Sequence, residues 1–130
     1  AIEHTLPADQ AVALLEGVGS PWIRDYWDMA NALFVGYDPI QEIETLGHWL
    51  VQVHAKEFDG GDGPAASRAA PRWDGLNKKP FGQGQVPVRE VLAALRRVGY
   101  DGYVVLETGA FGDHKASARA ALDVLRASVV

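Results

Sequence analysis

Residues 49–60 read WLVQVHAKEFDG, a near-continuous apolar run that ends in a histidine and two opposite charges. A run of this kind predicts a strand buried on both faces, as in a parallel sheet that helices cover on its sides. His54 and Lys56 then stand at the carboxyl end of that strand. A lone histidine there is more often a hydrogen-bonded structural residue than a ligand, so its role depends on the rest of the chain.

Helix and strand signals alternate on both sides of this stretch. The clearest helix signal has Asp38 as N-cap, Pro39 at the first helical position and Gly47 as its end. We expect strands within residues 1–5, 21–28, 49–56 and 103–107, and helices within residues 7–20, 38–47, 87–99 and 116–129. This order predicts a parallel α/β sheet of four β/α units. The long loop at residues 57–87 is typical of a functional lid or a mobile segment.

Composition narrows the class of protein. With 130 residues, 48% of them hydrophobic, the chain is expected to form one domain over residues 1–130. A net charge of -5 makes nucleic acid a poor default partner, and the lack of cysteine excludes disulfides and thiol chemistry. No apolar run approaches the roughly 20 residues that cross a bilayer, and no signal peptide is recognisable. We therefore expect a soluble, cytoplasmic protein without a membrane partner.

The predicted strands each end at a residue of a metal-ligating type: Glu3, Asp28, His54 and Glu107. Because the carboxyl ends of parallel strands meet at one face, these side chains are expected to converge. Three carboxylates and one imidazole suit a divalent ion, with Mn²⁺ favoured and Mg²⁺, Co²⁺ or Zn²⁺ as alternatives. Each residue also has a simpler interpretation: Asp28 could cap the next helix and Glu3 could be a solvated charge. Glu107 fits such an interpretation least, since it ends a buried strand.

Longer stretches carry a family resemblance. WDMANALFVGYDPIQEIETLGHWLVQVHAKE (residues 27–57) and PFGQGQVPVREVLAALRRVGYDGYVVLE (residues 80–107), with AIEHT at the start, resemble the C-terminal half of the sugar phosphate isomerase/epimerase family, the xylose-isomerase-like TIM barrels. The family's D-x-x-N/H element appears from Asp28 to Asn31, its H-x-K element from His54 to Lys56, and its G-x-G element from Gly82 to Gly84.

The resemblance implies a divalent-metal-dependent isomerase or epimerase that acts on a sugar or keto-sugar. The metal would be held by Glu3, Asp28, His54 and Glu107, and would stabilise an enediolate as a Lewis acid. Glu3 and Glu107 would be the catalytic pair that exchanges the proton α to the carbonyl. The same family includes inosose-type dehydratases, which begin with the same proton abstraction.

Four further residues are expected to bind substrate. Asn31 and Lys56 would bind or polarise its hydroxyl groups, and Trp27 and Phe81 would wall the pocket. The alternative for Lys56 is a surface ion pair with Glu57.

A closed eight-stranded barrel takes about 250 residues, roughly twice this length. The predicted fold is therefore a parallel (β/α)4 half of a TIM barrel, completed by self-association or by a missing N-terminal half. Its two open sheet edges favour a homo-oligomer, specifically a dimer that closes the barrel. A non-catalytic half-barrel that serves as a binding or assembly module is the alternative to an enzyme.

Overall fold

The computed structural model describes residues 1–62 and 66–129, which form an α/β fold on a parallel sheet. The strands lie in the order β1, β2, β3, and both pairings are parallel. The strands are β1 (Asp25–Asp28), β2 (Leu50–Ala55) and β3 (Tyr103–Leu106), and the helices are α1 (Ala8–Val18), α2 (Met29–Val35), α3 (Pro39–Leu46), α4 (Val88–Arg97) and α5 (His114–Ser128). The predicted parallel α/β class is confirmed.

The first predicted strand, residues 1–5, is reduced to a single parallel bridge between Ile2 and Asp25. Two hydrogen bonds of 2.9 Å make this bridge, from Ile2 N to Arg24 O and from Tyr26 N to Ile2 O. Among the described residues this segment has a neighbouring strand on one side only, so few ladder bonds hold it in extended form. The sheet consequently has three strands where the sequence predicted four, although the first segment keeps the expected place beside β1.

Side chains alternate between the two faces of β2. Val53 and Ala55 are fully buried under the helices, in a core that includes Ile43 of α3 and Val91 of α4. His54 lies between them in sequence and is half-buried. It therefore projects to the other face of the sheet, because successive side chains of a strand point to opposite sides.

The helix ends follow local chemistry. Asp38 caps α3 by accepting hydrogen bonds from the amides of Ile40 and Gln41, and Asp113 caps α5 in the same way.

Within residues 1–62 and 66–129, no helix is both long and apolar enough to cross a membrane.

The sequence did not predict α2, which starts directly after Asp28. Met29, Ala30 and Phe34 are completely buried, and Ala32 and Val35 nearly so. A helix that is apolar on most of its surface lacks the amphipathic period on which a sequence-based prediction depends. Asp28 caps this helix, so the same residue ends β1 and precedes the first turn of α2.

The long loop is organised around Glu57, whose side chain is fully buried. Its Oε1 accepts hydrogen bonds from the amides of Phe58 (2.9 Å) and Val86 (3.1 Å), and its Oε2 accepts one from the amide of Gly82 (2.7 Å). Gly84 passes so close that a Cβ there would overlap Glu57 Oε1. One buried carboxylate thus holds the beginning and the end of the loop together.

We expect Glu57→Ala to lower the free energy of unfolding by about 3 kcal/mol, because three amide donors lose their acceptor. Urea denaturation followed by circular dichroism measures the change. Glu16→Ala, an exposed glutamate on α1, is the control and should shift stability by less than about 0.5 kcal/mol. Equal unfolding midpoints for Glu57→Ala and the parent protein would show that the loop does not depend on this carboxylate.

Candidate metal centre

Four ligand-type side chains meet at the carboxyl end of the sheet: Glu3, Asp28, His54 and Glu107. Each offers one ligand atom, and these atoms all lie within 4.8 Å of one another. Asp28 ends β1 and is paired in register with His54 of β2, and Glu107 follows β3 directly. The structure therefore brings together the four side chains that were expected to converge at the strand ends.

His54 lies at the centre of the group. Its Nδ1 is 3.1 Å from Glu107 Oε2, 3.4 Å from Glu3 Oε1 and 3.7 Å from Asp28 Oδ2. One nitrogen and three carboxylate oxygens thus face a common point. This donor set is the one that divalent ions of intermediate hardness prefer.

Asp28 uses its two oxygens differently. Oδ1 accepts hydrogen bonds from the amides of Ala30 (2.8 Å) and Asn31 (2.9 Å), which cap α2. Oδ2 is buried and has no hydrogen-bond partner in the described part of the chain. Burial raises the pKa of Asp28 to about 6, and the two capping amides and Lys56 oppose that rise. Asp28 is thus a helix cap, as the simpler interpretation held, and also presents a free oxygen to the cluster.

The two carboxylate oxygens of Glu107 also differ in their contacts. Its Oε1 accepts a hydrogen bond of 2.9 Å from Lys56 Nζ, while its Oε2 is buried and without a hydrogen-bond partner in residues 1–62 and 66–129. Lys56 Nζ also lies 3.5 Å from Asp28 Oδ2. Glu57, the partner considered for Lys56 from sequence, instead binds amides inside the loop. Lys56 therefore contacts two members of the cluster, and the ion pair with Glu57 that the sequence also allowed does not form among the described residues.

Tyr26, which was not predicted from the sequence to lie at this cluster, contacts the Nε2 side of the His54 ring. Tyr26 Oη lies 2.5 Å from His54 Nε2, and the two ring centroids are 4.1 Å apart. This contact leaves Nδ1 as the nitrogen that faces the carboxylates. Tyr26 precedes Asp28 by two residues on β1, so the period of a strand was the signal that could have placed both on one face.

Of the other residues expected to bind substrate, Asn31 contacts the cluster, whereas Trp27 and Phe81 each line a separate cavity. Asn31 Nδ2 donates a hydrogen bond of 3.1 Å to Glu3 Oε1. Trp27 is buried in the core and borders, with Asp28 and Asn31, a cavity of about 10 Å³, which has room for a single water and not for a sugar. Phe81 lines a groove of about 290 Å³ together with Thr108, the residue after Glu107.

The geometry fits a divalent cation. Lys56 supplies one positive charge against the three carboxylates, so the cluster stays negatively charged at neutral pH if all three ionise. Two of its oxygens, Asp28 Oδ2 and Glu107 Oε2, are buried and make no hydrogen bond within the described residues. Lys56 Nζ lies 3.5 Å from the first and His54 Nδ1 lies 3.1 Å from the second, and a divalent cation would give both oxygens a further partner. Glu3 and Glu107 are more exposed than Asp28 and His54, so the cluster opens to solvent on the glutamate side.

The raised pKa of Asp28 gives a prediction for the metal-free protein. A carboxyl with a folded-state pKa of about 6 and an ordinary value of 3.8 binds its proton more tightly when folded. The contribution of this carboxyl to the free energy of unfolding is therefore largest below about pH 4, and it is lost as the pH rises through 6. Asp28→Asn keeps the capping oxygen and removes the charge. We expect it to exceed the parent protein in stability by about 1–3 kcal/mol at pH 8, with a smaller difference at pH 4.

Urea unfolding in the presence of a chelator measures both proteins. Asp38→Asn is the control, because Asp38 makes the same type of helix cap on α3 in an exposed position. A parent protein that is as stable as Asp28→Asn at pH 8 would contradict an unfavourable buried charge at residue 28.

Comparison with known proteins identifies the family. Residues 4–128 match the family model described as xylose isomerase-like TIM barrel. The 2-epi-5-epi-valiolone 7-phosphate 2-epimerase of an Actinoplanes species is 35% identical over the whole of this chain, which spans 44% of that protein. The chain therefore spans less than half the length of this relative.

Two solved structures share the fold. A xylose isomerase domain protein from Planctomyces limnophilus superposes with a TM-score of 0.78 at 22% identity, over 97% of this chain and 45% of that one. The D-psicose 3-epimerase of Clostridium cellulolyticum, solved with D-tagatose, gives a TM-score of 0.71 at 23% identity, over 94% of this chain and 43% of that one. The observed sheet and helices thus correspond to half of a TIM barrel, and the chain belongs to the xylose isomerase-like TIM barrel family.

Proposed function

We propose that this chain carries the metal-binding and proton-transfer residues of a divalent-metal-dependent isomerase or epimerase that acts on a sugar or keto-sugar. The observation that carries the proposal is the convergence of Glu3, Asp28, His54 and Glu107, in which two buried carboxylate oxygens make no hydrogen bond to any described residue. The relative at 35% identity is named an epimerase, which supports the same reaction class.

The residues divide by burial into two roles. Asp28 and His54 lie on the inner strands β1 and β2 and are the less exposed pair, so they would serve as metal ligands only, whereas Glu3 and Glu107 would bind the metal and also face the substrate. A bound divalent ion, Mn²⁺ by preference, would supply Lewis-acid polarisation of a carbonyl oxygen. The proton on the adjacent carbon would then be more acidic, and a carboxylate could remove it.

Glu3 and Glu107 are the pair for proton transfer. Their side chains are the exposed members of the cluster and belong to the two outermost segments of the sheet. One carboxylate would remove the proton α to the carbonyl and the other would return a proton. If the proton returns to the opposite face of the same carbon, the configuration of that carbon is inverted. If a proton instead reaches the former carbonyl carbon of the enediol, the carbonyl group moves to the neighbouring carbon.

Two donors complete the site. Asn31 Nδ2 holds Glu3 Oε1, and Lys56 Nζ holds Glu107 Oε1, so each proposed base is oriented by a separate side chain. Both donors have further hydrogen-bonding capacity, which would serve substrate hydroxyl groups. Phe81 borders the groove beside Thr108 and would form an apolar wall; Trp27 would support the site from the core.

Metal binding provides the first test of this proposal. We expect Glu107→Gln to weaken Mn²⁺ binding by at least about tenfold, because it removes the charge from a ligand oxygen. Substitution of residues that only orient the ligands lowers metal affinity by about 10- to 100-fold, so loss of a ligand charge should cost at least as much. Isothermal titration of chelator-treated protein measures the dissociation constant, and circular dichroism checks the fold. Glu90→Gln, an exposed glutamate on α4, should bind as the parent does. Unchanged Mn²⁺ binding by Glu107→Gln would contradict the ligand assignment.

Proton exchange tests the chemistry. Incubated in D₂O with Mn²⁺ and a panel of ketoses and inososes that includes D-psicose and D-tagatose, the protein should exchange the proton next to the carbonyl, as followed by ¹H NMR. Exchange should disappear with chelator and fall at least about 100-fold in Glu3→Gln and Glu107→Gln.

The outcomes separate the alternatives. Exchange with loss of water would indicate the inosose-type dehydratase. Metal binding without exchange across the whole panel would contradict the isomerase and favour a non-catalytic half-barrel.

A further inference from the structure

We propose that Tyr26 is a positioning residue of the metal centre: its hydroxyl group holds the His54 ring by Nε2, so that Nδ1 is the nitrogen that a divalent cation meets. This inference rests on the proposed function, because it concerns a ligand of the same centre. It names the residue that decides which of the two nitrogens of His54 binds the metal.

The two nitrogens of His54 have different neighbours. Nδ1 faces three carboxylate oxygens at 3.1, 3.4 and 3.7 Å, which belong to Glu107, Glu3 and Asp28. Nε2 lies 2.5 Å from Tyr26 Oη. The side chain of His54 is 14% exposed, so little water can take the place of this hydroxyl group. The carboxylates and the tyrosine therefore hold the ring from two sides.

A half-turn of the imidazole about its Cβ–Cγ bond shows what the hydroxyl group controls. The half-turn puts carbon Cδ2 in the place of Nδ1 and carbon Cε1 in the place of Nε2, and this torsion has two broad minima in histidine. In the turned orientation Tyr26 Oη would face a C–H group and lose its hydrogen bond, while the carboxylates would face a carbon. The hydroxyl group and a bound cation therefore favour the same orientation of His54.

The position of the ring proton leads to the same assignment. A cation at Nδ1 occupies the lone pair of that nitrogen, so the proton of the neutral imidazole lies on Nε2. The oxygen of Tyr26 can accept a hydrogen bond from this N–H group. Partners of this kind fix the tautomer and the orientation of a metal-ligating histidine and make it a more basic ligand. A phenylalanine would leave the N–H group without this acceptor.

The sheet itself places Tyr26 beside the histidine. Tyr26 lies opposite Gln52 in the parallel pairing of β1 with β2, and Asp28 lies opposite His54. Tyr26 and Asp28 are two residues apart on one strand, so both side chains project to the same face. The rings of Tyr26 and His54 have centroids 4.1 Å apart and planes tilted by 42°. The register that delivers Asp28 to the cluster therefore also delivers Tyr26 to Nε2.

Removal of one hydroxyl group tests the inference. We expect Tyr26→Phe to weaken Mn²⁺ binding by about 10- to 100-fold, the loss typical of residues that orient a metal ligand. Isothermal titration of chelator-treated protein measures the dissociation constant, and circular dichroism checks the fold. Tyr103→Phe is the control: it removes the hydroxyl group of a tyrosine that is 81% exposed at the start of β3, and it should bind Mn²⁺ as the parent does.

The ring nitrogen that binds the metal is the second readout, because a merely structural change would not alter it. Zn²⁺ is diamagnetic and allows long-range ¹H–¹⁵N NMR of the histidine rings, and the signals that vanish in His54→Gln identify His54. We expect the parent to bind Zn²⁺ through Nδ1, with the proton on Nε2. Tyr26→Phe should show a mixture of Nδ1-bound and Nε2-bound forms.

The outcomes distinguish this inference from the proposed function. Parent-like Mn²⁺ binding by Tyr26→Phe would overturn the role of Tyr26 and leave the metal centre intact. Weaker binding through Nδ1 alone would reduce Tyr26 to a structural residue, and Zn²⁺ on Nε2 of the parent would contradict the inference directly. A parent protein that binds no Mn²⁺ would overturn the proposed function together with the inference.

Discussion

The register of β2 between its two neighbours is the constraint on which the site depends. The pairing of Asp28 with His54 and the hydrogen bond from Glu107 N to Ala55 O (3.0 Å) set the ends of three strands at one level. A shift of one residue would turn His54 toward the helices and Val53 toward the carboxylates. The fully buried Val53 and Ala55 resist such a shift, because it would expose them and bury polar groups. The apolar core thus fixes the position of the metal-ligating side chains.

Asp28 shows how fold and site compete for one residue. Its Oδ1 starts α2, while its Oδ2 is held in a buried position without a donor. An asparagine would cap the helix without burying a charge, so the helix alone does not explain an aspartate. Cations at the cluster explain it: Lys56 Nζ lies 3.5 Å from Oδ2, and a divalent ion would be a second partner for the buried charge. The buried charge of Asp28 thus destabilises the metal-free protein, and the same charge would attract a cation to the cluster.

The sequence predicted what depends on local pattern. Alternating helix and strand signals gave the parallel α/β class, and the rule that parallel strands present their carboxyl ends together named the four residues of the cluster. The helix α2 escaped prediction because its apolar residues face the core on most sides. Tyr26 and Glu57 were missed or misassigned for another reason: their partners, His54 and the amides of residues 82 and 86, lie more than 20 residues away. Tertiary packing sets such contacts: the strand period can place Tyr26 on the same face as Asp28, but it does not identify the distant partner.

The position of the two exposed glutamates links the chemistry to the closure of the sheet. Glu3 belongs to the segment at one edge and Glu107 follows β3 at the other, while the less exposed ligands, Asp28 and His54, lie on the strands between them. Whatever closes the barrel must therefore stand directly beside both proposed proton-transfer groups. Closure would remove them from water, and water-excluded carboxylates respond more strongly to a neighbouring cation or ammonium group. Asp28 and His54 therefore have a neighbouring segment on each side, whereas Glu3 and Glu107 each lie at an edge of the described sheet.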